Sequence, residues 1–274
     1  MRNLKQGGLL PLPPDDRDLN LGYIEKLPAL ETLPESFTLG DTIVRDQGAD
    51  NNDDLCTAYG SVGMAYLMDG VEGSPEWVFA ASKEISGDPE RWGQNMRDAF
   101  KAWVKYGSPR REHVVAPQDK AQRRELKNYD QGLKGDELKK QTYVTTKGPY
   151  KAFENIKATI WKYKDEKRAV GIGIIFAWPL SDVYLRGVNE SGFGHFMFAT
   201  GWEGEYLEVV NSYGKDAGKN GKHYIHKDTI NYFVKKYGAF CFIDMPAEEA
   251  RAKQAEYLSL INRLIRFLKN LWQK

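Results

Sequence analysis

The chain has 274 residues, 41% hydrophobic and 28% charged, which suits a globular protein of one or two compact domains. A formal net charge of +1 gives no whole-chain pull toward nucleic acid or a membrane surface. Two cysteines, Cys56 and Cys241, and no run of about eighteen apolar residues argue against a disulfide scaffold and a spanning helix.

The first ten residues hold no long apolar stretch of the kind a secretory signal carries, so a cytoplasmic location is favoured. Residues 1–32 are rich in Pro, Asp and Leu and read as an extended segment, expected to pack along the surface. From Cys56 to Met68, apolar residues alternate with small ones (Ala58, Gly60, Ser61, Gly63, Ala65), a pattern for a helix buried on most sides, stopped by Asp69 and Gly70. Ser74, Pro75 and Glu76 make a helix start with proline in its first turn. A further helix spans Asn95 to Lys105, with Met96, Ala99, Phe100 and Trp103 on one face and Gly107 beyond its end. Residues 109–142 are charged and weakly periodic and read as a solvated insertion with a short helix.

The pattern then changes period. Residues 169–176 form an unbroken apolar run expected to be a buried strand, and 196–200, 206–210, 222–225 and 239–243 supply more strands. In residues 257–272, apolar side chains recur at helical spacing, with Arg263, Arg266 and Lys269 between them. This cationic 246–274 segment is open to three readings: a helix docked on its own domain, an interfacial membrane helix, or a self-association helix.

The chemistry-bearing residues stand out against this background. Cys56 heads a helix, where the N-terminal dipole favours a thiolate. His195 lies 139 residues on, and Asn211, Ser212, Tyr213 and Gly214 begin sixteen positions later. A thiol, a lone histidine and an orienting amide are what a cysteine-nucleophile hydrolase needs. Cys241, inside an apolar run, reads as inert core, and His113, His223 and His226 as structural or exposed. No Cys/His spacing suggests zinc, and no cofactor is implied.

The residues around these three resemble the papain-like cysteine peptidases. Leu33-Pro34-Glu35, then Val44 to Gly48, then Leu55 to Tyr59 look like that family's mature amino terminus, oxyanion glutamine and nucleophile helix. Gly194 to Trp202 looks like its histidine strand, and Tyr206 to Gly214 like the strand ending in the asparagine. The likeness covers roughly residues 33–245. It implies an α+β, two-lobed fold, with a helical left lobe carrying the nucleophile helix and an antiparallel, β-barrel-like right lobe. It further implies Cys56 as nucleophile, His195 as its acid–base partner, Asn211 as orienter and Gln47 as oxyanion donor. Gly93 and Gly194 would lie against the backbone of a peptide or protein substrate.

Departures from the family pattern are specific. Asp53 stands where a disulfide cysteine is usual, the stretch from Gly48 to Leu55 is longer, and Tyr213 replaces a shielding tryptophan. Gly93 stands alone where a glycine pair is usual. These departures mark a divergent, disulfide-free branch of the family the chain resembles. Two other readings stay open: a catalytically silent peptide-binding module, in which the acidic run 50–54 raises the thiol pKa and occludes the oxyanion site, and a peptidoglycan-directed cysteine hydrolase with a cationic, membrane-active tail.

Overall fold

A computed structural model describes residues 7–12, 15–49, 54–130 and 132–272. In chain order the helices are α1 (Leu21–Ile24), α2 (Cys56–Asp69), α3 (Pro75–Ser86), α4 (Met96–Lys105), α5 (Ala152–Lys162), α6 (Lys227–Tyr237) and α7 (Ala247–Trp272). The strands are β1 (Ser36–Thr38), β2 (Thr142–Thr145), β3 (Val170–Phe176), β4 (Tyr184–Leu185), β5 (Phe193–Glu203), β6 (Tyr206–Val210), β7 (Lys222–His226) and β8 (Ala239–Ile243). Helices α2 to α4 build one lobe, and the strands make a mixed sheet in the other.

The small residues of α2 have a packing reason. A Cβ on Gly60 would lie 2.2 Å from the Phe196 ring, and one on Gly63 would lie 2.6 Å from Phe198. Bare backbone at both positions lets the helix sit directly on β5. Gly70 ends it in a left-handed conformation (φ 69°), as expected for a helix-stopping glycine. Ser74 caps α3 by accepting from the Trp77 N–H at 3.2 Å, with Pro75 in the first turn. Asn95 caps α4 by accepting from the Asp98 N–H at 2.9 Å. These short polar side chains satisfy donors that a helix start leaves open.

The sheet runs β2-β8-β3-β5-β6-β7-β4, with β1 also pairing β5. Every pairing is antiparallel except β4 with β7. Helix α2 packs on β3 and β5, α5 packs on the same strands, and α6 packs on β3. Burial on both faces explains why β3 reads as a continuous apolar run without alternation.

Two expectations need correcting. Among its described residues, helix in the insertion at 109–142 is confined to single 3-10 turns, and the insertion is not simply solvated. Tyr129 is buried edge-on against Trp77 at 5.7 Å, forming a small satellite core with Ala80, and Lys140 pairs with Asp69. Aromatic and charged anchors spaced too irregularly for any period fasten it to the helical lobe.

The amino-terminal segment, expected on the surface, instead enters the groove between the lobes. The Leu9 N–H donates to the Gly194 carbonyl at 3.1 Å, and the Gln94 N–H donates to the Gly8 carbonyl at 2.7 Å. The Leu10 N–H donates to the Gln94 carbonyl at 3.1 Å, completing a parallel bridge. Gly7 and Gly8 permit the close approach: a Cβ on Gly8 would lie 1.8 Å from the Asp54 carbonyl oxygen. Further along, Asp18 pairs with Arg97 at 2.7 Å, fixing the segment to α4.

Helix α7 is docked over its first half alone. Gln254 accepts from the Asn20 N–H at 2.7 Å and donates to the Asp18 carbonyl at 3.2 Å, and Tyr257 stacks on Tyr23 at 4.9 Å. No helix of the described residues is long and apolar enough to cross a membrane.

Candidate active site

Cys56 is the first residue of α2, and its thiol is fully buried at the floor of the groove. Burial pushes the thiol pKa up, while the backbone N–H groups of Phe196 and Gly8 and the Thr57 hydroxyl favour the thiolate and pull it down. The Asp54 charge also raises it. Asp50 to Asp53, the rest of the acidic run, lie outside the described residues. Arg124 meets Asp54 at 2.7 Å with both side chains largely buried.

His195 lies on β5 opposite Ile174 of β3. Its Nε2 and the Asn211 Oδ1 are 2.9 Å apart, so Nε2 carries the proton and donates. Nδ1, the other ring nitrogen, is buried and has no hydrogen-bond partner. Tyr213 stacks on the imidazole at 4.7 Å with an interplanar angle of 15°, and Phe176 meets it edge-on at 5.7 Å. Tyr213 thus covers the ring where a tryptophan is usual in the family the sequence resembles. Burial lowers the His195 pKa from 6.5 to about 4, partly offset by the Asn211 bond. With the groove covered, burial favours the neutral form of both the Cys56 thiol and the His195 imidazole.

Asn211 follows the last residue of β6. Its Oδ1 also accepts from the Ser212 N–H at 2.6 Å, and its Nδ2 donates to His223 Nε2 at 2.9 Å. His223 Nδ1 in turn donates to the Asp182 carbonyl at 2.7 Å, which fixes Nε2 as the acceptor. Three hydrogen bonds therefore set which end of the amide faces His195. His223 is buried, in keeping with a structural assignment, but its place in this chain was not foreseen. Neighbouring β-strands supply the explanation: residues 209 and 211 share one face, and His223 pairs with Val209 across β6 and β7.

Gln47 is fully buried beside this cluster. Its backbone N–H donates to the Ser212 carbonyl at 2.8 Å, and its Oε1 accepts from the Ser212 hydroxyl at 2.6 Å. Ser212, another residue not singled out from sequence, thereby fixes the plane of the Gln47 amide.

Gly93 and Gly194 line opposite walls of the groove. A Cβ on Gly93 would lie 2.0 Å from the Gly8 carbonyl oxygen, and one on Gly194 would lie 2.1 Å from that of Leu9. Gly194 supplies its own carbonyl to the occupying backbone. On the other wall the hydrogen bonds come from Gln94, one residue beyond Gly93, which contributes clearance. The loop carrying both is held from beneath: Lys83 donates to the carbonyls of Arg91 and Gly93, and Arg124 donates to those of Glu90 and Arg91 at 3.1 and 3.2 Å. Burial lowers the Lys83 pKa to about 8. Cys241 lies in β8, fully buried, with its pKa pushed up to about 12 by burial. Among the described residues no cluster of three His, Cys, Asp or Glu side chains is arranged to hold a metal ion.

No family model and no curated protein sequence matches the chain. Solved structures do. Xylellain, a cysteine protease from Xylella fastidiosa, aligns at 16% identity over 89% of this chain and 98% of that one, with a TM-score of 0.66. Procathepsin B S9 from Trypanosoma congolense aligns at 15% identity over 87% of this chain and 82% of that one, with a TM-score of 0.57. Bromelain from Ananas comosus aligns at 14% identity over 78% of this chain and 100% of that one, with a TM-score of 0.55. The chain has the two-lobed α+β fold of the papain-like cysteine proteases.

Proposed function

We propose that the chain is a cysteine peptidase whose groove is covered by its own amino-terminal segment. The observation that carries this reading is an extended backbone, residues 8–10, hydrogen-bonded to Gln94 on one wall and Gly194 on the other, beside the Cys56 thiol. A groove that binds one extended peptide through its main chain has the donors and acceptors to bind another.

With the segment displaced, Cys56 passes its proton to His195 Nδ1. The thiolate attacks the scissile carbonyl carbon, and the negative charge develops on the carbonyl oxygen. The Cys56 backbone N–H and the Gln47 side-chain amide are the donors assigned to that oxyanion. Loss of one such donor typically costs about 2.7–4 kcal/mol of transition-state stabilisation. His195 then gives its Nδ1 proton to the leaving amine, and water releases the acyl group from sulfur. Asn211 holds the ring by accepting from Nε2–H, and His223 acts one step back as a positioning residue.

The raised thiol pKa and the nearby Asp54 charge favour a second reading, a silent peptide-binding module. A Gly8→Val chain separates the two, because its side chain conflicts with the Asp54 backbone and expels the segment. In that chain, alkylation of Cys56 by limiting iodoacetamide is followed against pH by peptide mapping, with Cys241 as internal control. A peptidase gives an alkylation midpoint well below the free-thiol value of about 8.5, lost on adding His195→Ala. An ordinary thiol profile, unchanged by His195→Ala, supports the binding module.

A further inference from the structure

Beyond Tyr257, α7 leaves the body of the protein. Leu260, Leu264, Phe267, Leu268 and Leu271 are each about half exposed, and Trp272 is 91% exposed. At 3.6 residues per turn, the apolar residues between Tyr257 and Trp272 fill one half of the helix circumference, about 180°. Arg263, Arg266 and Lys269 lie on the other half with Ser259, Asn262 and Asn270, and this stretch contains no acidic residue.

We propose that residues 258–272 lie in the surface of an anionic phospholipid bilayer, with the apolar half of the helix in the acyl boundary and the three cations among the headgroups. A paired coiled-coil seam needs a narrow stripe, two positions in each heptad, whereas this face is twice as wide or more. A second copy packed on this face would leave Arg263, Arg266 and Lys269 on the outside with no carboxylate to pair them. An anionic surface supplies the missing charge, and aromatic side chains such as Phe267 and Trp272 suit the headgroup boundary. The helix lies in the interface rather than crossing it, because it is not apolar enough to span. Its first half stays on the protein through Gln254 and Tyr257, so the peptidase fold would be carried at the membrane surface.

The test is co-sedimentation of the full chain with phosphatidylcholine vesicles, with and without phosphatidylglycerol, alongside sedimentation velocity without lipid; neither reads peptidase activity. The expected result is a micromolar-range monomer that binds the anionic vesicles, with a partition coefficient falling roughly 10- to 100-fold in R263Q/R266Q/K269Q. Leu264→Glu with Leu268→Glu should abolish binding, and since both residues are exposed, circular dichroism of the variant should match the parent. Absence of binding to anionic vesicles, or equal binding by the parent and the charge variant, overturns the proposal. So does a dimer that the Leu264 and Leu268 variant dissolves in a chain that does not bind lipid.

Discussion

Gly8→Val offers a quantitative test of the covered groove. Three hydrogen bonds join residues 8–10 to Gln94 and Gly194. At about 1 kcal/mol net each they contribute roughly 3 kcal/mol. Leu9, 4% exposed, adds roughly 2 kcal/mol through burial. Ordering residues 7–10 costs about 1 kcal/mol per residue at the lower bound, or roughly 4 kcal/mol. Closure is therefore favoured by only about 1 kcal/mol, which leaves an open fraction of roughly 15%. A valine Cβ placed 1.8 Å from the Asp54 carbonyl oxygen opposes closure by far more than that margin. Cys56 alkylation at fixed pH should then run roughly 7-fold faster in Gly8→Val than in the parent, while Cys241 stays unreactive in both. A change of less than about twofold in a chain of unaltered circular dichroism would refute the covered-groove argument.

Other consequences follow from single contacts. His223→Leu strands the Asn211 Nδ2–H in a buried site and should cost about 1–3 kcal/mol in urea unfolding; His223→Gln keeps an acceptor there and should recover part of the loss. Arg124→Ala leaves the Asp54 carboxylate nearly buried and unpaired, so the chain should lose about 3 kcal/mol and roughly 6–12 °C of thermal midpoint, read by calorimetry. His195 titrates at about 4 when folded and near 6.5 when unfolded, so the unfolded chain binds the extra proton between those values. Its stabilising contribution is full above 6.5 and is lost as pH falls toward 4. The urea midpoint should be lower at about pH 5 than at about pH 7.5, with a smaller difference in His195→Gln.

Much of this fold was legible because its signals are local. Ser74-Pro75 and Asn95 mark helix starts through side-chain caps, and Gly70 marks an end through positive φ. The interval from His195 to Asn211 is a strand pair, β5 and β6, whose antiparallel register returns the chain to the same end of the sheet. What was not legible depends on register or on distant contacts. Helices α5 and α6 were not foreseen; each covers the sheet with one face and carries lysines on the other, so their apolar content is diluted. His223 joins Asn211 only because Val209 is its strand partner. The course of residues 7–12 was misjudged because glycines and leucines carry no label for a groove. Their placement rests on main-chain hydrogen bonds and on clearance for bare Cα atoms, neither of which composition reveals.

The central claim is that Cys56 is a nucleophile toward peptide carbonyls. Its most direct test is acid-quenching the Gly8→Val chain during turnover of an activated peptide ester and mapping the adduct by mass spectrometry. The expected result is an acyl increment on the Cys56 peptide alone, reduced at least about 100-fold in Gln47→Ala and absent in Cys56→Ala. Hydrolysis that persists in Cys56→Ala, or an acyl group found on any other residue, would contradict it.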